Sequence, residues 1–403
     1  MPVSTFDLAR VRSAFPALDL GVAHFDGPGG SQVPTPVAGA VAGTMTAGLA
    51  NRGSVTAAER RAEAVTFAAR AAMADLVGAD PRGVVFGRSM TALTFDLART
   101  MSRSWGPGDE VVVTRLDHDA NIRPWVIAAA HAGATVRWLD FDPETGELDD
   151  IETVLSTHTR LVAVTAASNL LGTRPDVAAI ARAAHEVDAL VHVDAVHLAA
   201  HAPLDLAGLG ADFLACSPYK FFGPHLGALM ARPELLETLE PDKLLPSSNA
   251  VPERFELGTL PYELLAGVTA AVDFIADLAS SAPDRRTRVL ESMTAVAEHE
   301  EALFERLLTG LAALDGVTLH GRPARRTPTA LFSVAGHTGA EVYEHLASVG
   351  VNAPASHFYA IEASRRAGLG DDGAVRAGIA PYTSPEDVDR LLEGVAGLLG
   401  SPR

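Results

Sequence analysis

Short β-branched runs alternate with longer amphipathic runs over the first three-fifths of this chain, and that alternation leaves few folds open. Apolar strand candidates fall at 83–86, 110–114, 135–141, 160–166, 189–195 and 212–217, with helix-period stretches between them at 90–104, 121–132 and 176–188. Such repetition predicts βαβ units on a mostly parallel sheet. The strands read as near-continuous apolar runs, as they must when helices cover both faces of the sheet. Further long helices are predicted at 56–76, 261–278 and 287–314. The short polar stretch 280–286 contains Pro283 and marks a boundary. Beyond it the chain reads strand 317–320, strand 330–334, helix 340–349, strand 375–380 and helix 385–399. The expectation is an N-terminal arm over 1–20, a large domain over 21–282 and a small α+β domain over 283–403, with the N-terminal segment packed on the small domain.

Composition narrows the function. The 403 residues, 48% of them hydrophobic, suffice for two cores. Fifty acidic residues against 32 Lys and Arg give a net charge of −18, unfavourable for binding nucleic acid or an anionic membrane. The one cysteine, Cys216, leaves no intrachain disulfide, no CxxC pair and no thiolate-rich metal site. No apolar run reaches the roughly 18 residues of a membrane span. The N-terminus lacks the apolar segment of a secretory signal. A cytoplasmic enzyme is therefore expected.

Ligands of open parallel sheets bind beyond the carboxyl ends of the strands, so the residues placed there carry the most weight. Asp194 ends one strand, with His197 just past it. The next strand runs into Ser217, Pro218, Tyr219 and Lys220, then Phe221 and Phe222. A lysine flanked by aromatics past a buried strand is desolvated, and desolvation favours the neutral amine that forms a Schiff base. Strand 83–86 leads through Gly87 and Arg88 to Ser89, Met90 and Thr91, where a helix starts and an anion can sit. His118 lies in LDHDAN and Asn169 in SNLLGT, each after a strand. Taken singly, each has an ordinary explanation: a surface charge, a helix cap, a turn. Together they supply an acid, an amine and a phosphate cradle, the set an aldehyde cofactor with a pyridine ring needs. The glycine cluster 27–30 is a turn before a helix, not a dinucleotide fingerprint.

FPALD (15–19), FDGPGGSQVP (25–34), LDHDAN (116–121), SNLLGT (168–173), HVDAVH (192–197), CSPYKFFGPHLG (216–227), FELGT (255–259) and VRAGIAPYTSPEDVDRLL (375–392) occur in that order. By this set the chain resembles the class V branch of the fold type I pyridoxal-phosphate enzymes. It is most similar to the cysteine desulfurase-like proteins, a group that also takes in the isopenicillin N epimerases. The resemblance implies an α/β architecture: a mostly parallel seven-stranded sheet sandwiched by helices, plus a smaller C-terminal α+β domain. It also implies pyridoxal 5′-phosphate as cofactor, an amino-acid substrate, and a homodimer with a shared active site. By position, Lys220 matches the lysine that binds the aldehyde, Asp194 the acid on the ring nitrogen, His118 the histidine over the ring and Asn169 the asparagine beside it. His197 stands where many relatives have a glutamine at the ring oxygen. Ser89, Met90, Thr91, Ser217 and Tyr219 fall at the phosphate. Gly258 and Thr259 match a loop closing on the phosphate from the other subunit. Arg376 matches the arginine that pairs with the substrate's α-carboxylate.

The pattern breaks at one place. Desulfurases carry a nucleophilic cysteine on a C-terminal loop, and the matching stretch here is Ser356, His357, Phe358, Tyr359, Ala360, with Tyr359 at the cysteine position. Asn352 likewise stands where an arginine is expected. A phenol cannot carry a persulfide, and side chains alternate along a strand. If Ser217 faces the phosphate, Cys216 therefore faces away. The expected function is a pyridoxal-phosphate enzyme with C–S lyase or desulfurase-type chemistry lacking the loop cysteine, with His357 and Tyr359 near the substrate. Transamination and epimerisation are alternatives, and a non-catalytic relative is a more distant one. A metal hydrolase using the 117–119 DHD run, His192, Asp194, His197 and His201 is a further alternative, although no metal is expected. Any sulfur-accepting partner is unspecified.

Overall fold

The structure is a computed structural model that describes residues 6–400. Residues 1–5 of the expected arm and 401–403 lie outside the described residues. Seven strands form the main sheet, in the order Val84–Gly87, Gly227–Ala231, Phe213–Cys216, Leu190–Asp194, Thr159–Thr165, Glu110–Thr114, Thr135–Leu139. Gly227–Ala231 is antiparallel to both its neighbours and every other pairing is parallel. Six strands fall within a few residues of the sequence reading. The seventh, GALMA, was not anticipated because it holds no β-branched residue. It is a strand because it is buried between two others that supply its hydrogen bonds, a case where tertiary context overrides propensity.

The pleat divides the strands between two cores. Val84, Phe86, Val112 and Val162 join one cluster, while Val85, Val111, Val113 and Leu161 join the other. Helices Ala57–Val77 and Tyr262–Ala276 cover the first face. The former opens on a capping box, Thr56 with Glu59, and ends at Gly78, whose φ of 67° requires glycine. Helices Met90–Met101 and Arg123–Ala132 cover the second, around the fully buried Trp125. Helix Arg285–Ala312 leads to an antiparallel sheet of Ala355–Ser356, Ala374–Gly378, Thr329–Val334 and Val317–His320. A third core joins Phe332, Val375 and Leu391 to Ala23 and Phe25 from the start of the chain. Ala23–His24 pairs in parallel with Val351–Asn352, and Arg12 Nη1 reaches Asp387 Oδ2 at 2.7 Å. Among the described residues, no helix is long and apolar enough to cross a membrane.

Parallel strands align their carboxyl ends at one edge of the main sheet. Strand Ala374–Gly378 of the small sheet presents Arg376 to that same edge, and the site forms there. One close approach fixes its geometry: a Cβ on Gly227 would fall on the Ser89–Met90 peptide. Gly227→Ala is expected to push the start of helix Met90–Met101 off the sheet. The loss should be about 1–3 kcal/mol, read as a lower denaturant midpoint.

Candidate active site

Asp194 and Lys220 come together because their strands are parallel neighbours, with Asp194 opposite Ala215. Asp194 ends its strand and is 4% exposed, its Oδ1 accepting the Val196 N–H at 2.9 Å. Burial raises its pKa to about 6, against a smaller pull downward from the Lys220 charge. Lys220 closes the one-turn helix Pro218–Lys220, between the cavity and the buried rings of Phe221 and Phe222. Its Nζ donates to the Pro28 carbonyl at 2.5 Å, so the glycine-rich turn forms one wall. Burial, with repulsion from Arg376, lowers the Lys220 pKa to about 7. At neutral pH about half of such amines are unprotonated and nucleophilic.

His118 caps the short turn Asp119–Asn121, and its Nδ1 accepts the Ala120 N–H at 3.0 Å. Burial and the Lys220 and Arg376 charges lower its pKa to about 4. It is a neutral, flat ring whose one proton is on Nε2. Beneath it lies a network the sequence reading missed. Asn121 Nδ2 donates to Asp117 Oδ1 at 2.6 Å, while Asn121 Oδ1 lies 2.8 Å from His192 Nδ1 and accepts from Trp125 Nε1 at 3.3 Å. Both Asp117 and Asn121 flank His118 in the LDHDAN motif, so that motif held the signal.

Arg376 is 1% exposed, and among the described residues no carboxylate lies within 4 Å of it. Its Nη1 donates to the Asn169 carbonyl at 2.8 Å, its Nε is buried without a partner, and the Phe358 ring lies 3.7 Å from its guanidinium carbon. Burial brings its pKa down to about 9. The Asp26 charge offsets part of that cost, but a buried cation with no carboxylate in contact favours an incoming anion. Asn169 Nδ2 holds the Phe358 carbonyl at 2.9 Å, and Asn169 Oδ1 is buried without a partner.

These residues line one cavity of about 560 Å³. Ser89, Met90, Thr91, His118, Asn169, Asp194, His197, Ser217, Tyr219, Lys220, Tyr359 and Arg376 all border it. Ser89 Oγ caps the helix by accepting the Ala92 N–H at 3.1 Å, and the amides of that first turn have no partner within the helix. Such a donor set, with an acid, a low-pKa amine and a neutral ring, fits a flat aldehyde bearing a phosphate. His357, expected near the substrate, is not in the lining, and neither are Gly258 and Thr259, which were expected at the phosphate of another subunit. His357 turns its Nδ1 onto the Tyr359 N–H at 3.1 Å. Gly258 and Thr259 are exposed, on a loop whose Glu256 is held by Arg70 at 2.8 Å. Cys216 is fully buried in the helix-covered core, its thiol pKa pushed up by burial.

Among the described residues, no three His, Cys, Asp or Glu side chains are grouped to hold a metal. Residues 198–200 form one 3₁₀ turn rather than a helix. His197 and His201 meet edge to face at 4.9 Å, His197 Nε2 bonded to the Thr327 and Thr329 hydroxyls and His201 Nδ1 to Glu300 Oε2.

Residues 23–391 match the aminotransferase class-V family. The chain is 38% identical over 401 residues to an uncharacterized protein of Mycobacterium tuberculosis, covering 98% of this chain and 99% of that one. It is 30% identical over 417 residues to a cysteine desulfurase of Klebsiella pneumoniae, covering 97% and 98%. Among solved structures it is similar to the cysteine desulfurase CsdA of Escherichia coli in its S-sulfonic acid form, with a TM-score of 0.86, 27% identity and coverage of 98% and 99%.

The environment of Lys220 has a direct readout. In the cofactor-free protein its modification by an amine-reactive reagent should rise with pH through a midpoint near 7. An ordinary lysine titrates near 10.4. Mass-spectrometric quantification of the modified peptide across pH tests this.

Proposed function

The chain belongs to the aminotransferase class-V family, whose members depend on pyridoxal phosphate, and from that premise we propose that it is a lyase cleaving the C–S bond of a cysteine-like amino acid. The carrying observation is that Lys220, Asp194 and Arg376, which has no carboxylate within 4 Å, line one cavity, while the only cysteine lies outside it. When bound, pyridoxal phosphate withdraws electrons from the α-carbon of an amino acid joined to it.

The chain's own residues do the rest. Ser89, Met90, Thr91, Ser217 and Tyr219 would hold the phosphate, and His118 would stack on the ring. Asp194 would stabilise a proton on the ring nitrogen, and the cavity that buries this carboxylate strengthens that contact. Arg376 would take the α-carboxylate through two parallel N–H bonds. Lys220 would remove the proton from the α-carbon, its lowered pKa suiting it to act as base near neutrality. With no thiolate in the cavity, sulfur would leave as sulfide rather than as a protein persulfide. Cysteine and water would then give pyruvate, ammonia and hydrogen sulfide. Gly258 and Thr259, exposed beside Leu257 at 61%, would close the phosphate end of a second copy's cavity in a homodimer.

Purified protein given L-cysteine should release pyruvate and sulfide in equal amounts. Alanine as the product would instead indicate desulfuration, a pyridoxamine form transamination, and D-cysteine epimerisation, and each would overturn the lyase reading. Lys220→Ala should abolish the visible band of the bound cofactor and lower kcat by at least about 10²-fold. Arg376→Gln should raise KM about 10- to 100-fold while kcat changes less, because a charge-assisted contact present throughout the reaction is removed.

A further inference from the structure

A second cavity, of about 790 Å³, lies between helix Arg285–Ala312 and the 321–328 connection of the small sheet. Four arginines line it: Arg174, Arg322, Arg325 and Arg326. Among the described residues none of the four has a carboxylate within 4 Å, although acids outnumber bases in the chain by 18. Arg326 is held in place without one. Its Nη2 donates to the carbonyls of Leu171 at 3.3 Å and Thr329 at 2.8 Å, and its guanidinium carbon sits 4.9 Å from the Phe304 ring centre. The Nε atoms of Arg174 and Arg326 are both buried without a partner. Burial lowers the pKa of Arg326 to about 10, and burial together with Arg325 lowers that of Arg174. For Arg326 the Glu305 charge offsets only part of that desolvation cost.

The charge of the lining sets the ligand. Three glutamates face these arginines. Glu300 is taken by His201 at 2.9 Å, and Glu301 and Glu305 are exposed on the helix. Four guanidinium groups face three glutamates, and burial raises the pKa of Glu300, so the lining carries an excess of positive charge. His320, the remaining titratable group of the lining, is bonded to Ser333 at 2.8 Å and kept neutral by burial.

We infer that this cavity is a binding site for a small dianion, a molecule bearing phosphate or carboxylate groups that the four arginines share. Planar guanidiniums, one of them already locked by backbone carbonyls and an aromatic face, suit either group at low ordering cost. The site touches the catalytic cavity at His197, against which His201 of the arginine cavity also packs at 4.9 Å. Thr327 lines the arginine cavity and its hydroxyl lies 2.9 Å from Nε2 of His197, which lines the other.

Calorimetric titration of the cofactor-loaded protein with pyrophosphate and, separately, with succinate at constant ionic strength tests the site. A saturable single-site heat is expected with at least one of them, and the stronger of the two identifies the acid group. The double variant Arg322→Gln/Arg325→Gln changes two exposed side chains and should weaken binding about tenfold or more. Arg326→Lys, which keeps the charge but loses the locked fork, should weaken it less. Binding should persist in Lys220→Ala and Arg376→Gln, so a failure of the lyase reading would leave this result intact. No saturable heat with either anion, equal affinity in the double variant, or loss of binding in Arg376→Gln would each overturn the inference.

Discussion

Lys220 and Arg376 are two cations enclosed in one cavity, and each raises the cost of charging the other. Burial, with repulsion from Arg376 added, lowers the lysine's pKa to about 7, and burial lowers that of the arginine to about 9. The rest of the site can be understood from this conflict. Asp194 supplies the nearby negative charge, itself weakened by burial. His118 stays neutral because it is buried and a third positive charge beside Lys220 and Arg376 is disfavoured. Anionic groups entering such a cavity relieve the repulsion and favour the charged form of Lys220.

The loop 356–359 closes over this arrangement and shows what replaces the expected cysteine. Phe358 and Tyr359 both adopt left-handed backbone, with φ of 50° and 59°, which bulky residues take only when held. The holding contacts are all present. Asn169 grips the Phe358 carbonyl, the Asp119 N–H donates to the Tyr359 carbonyl at 2.7 Å, and the Tyr359 ring stacks on His118 at 5.6 Å. Phe358 covers Arg376, so the loop restricts access to that guanidinium through packing. Tyr359 itself is 71% exposed, which suits a cover better than a nucleophile.

Much of this was legible in the chain. The alternation of apolar and amphipathic runs fixed the α/β class, because strands buried on both faces cannot look otherwise. Residues at strand ends were found by the same logic, since parallel strands bring their carboxyl ends to one edge: Asp194, Lys220, His118 and Asn169 all line the cavity. Strand Gly227–Ala231 was not legible, because its five residues carry no strand preference of their own. Nor were the Asp117–Asn121–His192 network or the arginine cavity, whose members come from distant segments.

Sequence alone determined six of the seven strands of the main sheet, the order of the motifs, the charge of the chain and the absence of any cysteine but Cys216. Those follow from local periodicity and residue identity, which need no knowledge of distant neighbours. Only the tertiary structure decided that His357 turns into its own loop, that Phe358 lies on Arg376, and that four arginines meet with no carboxylate in contact with them. These depend on desolvation and on contacts between segments far apart in the chain, and both are set by how the small sheet docks against the edge of the large one.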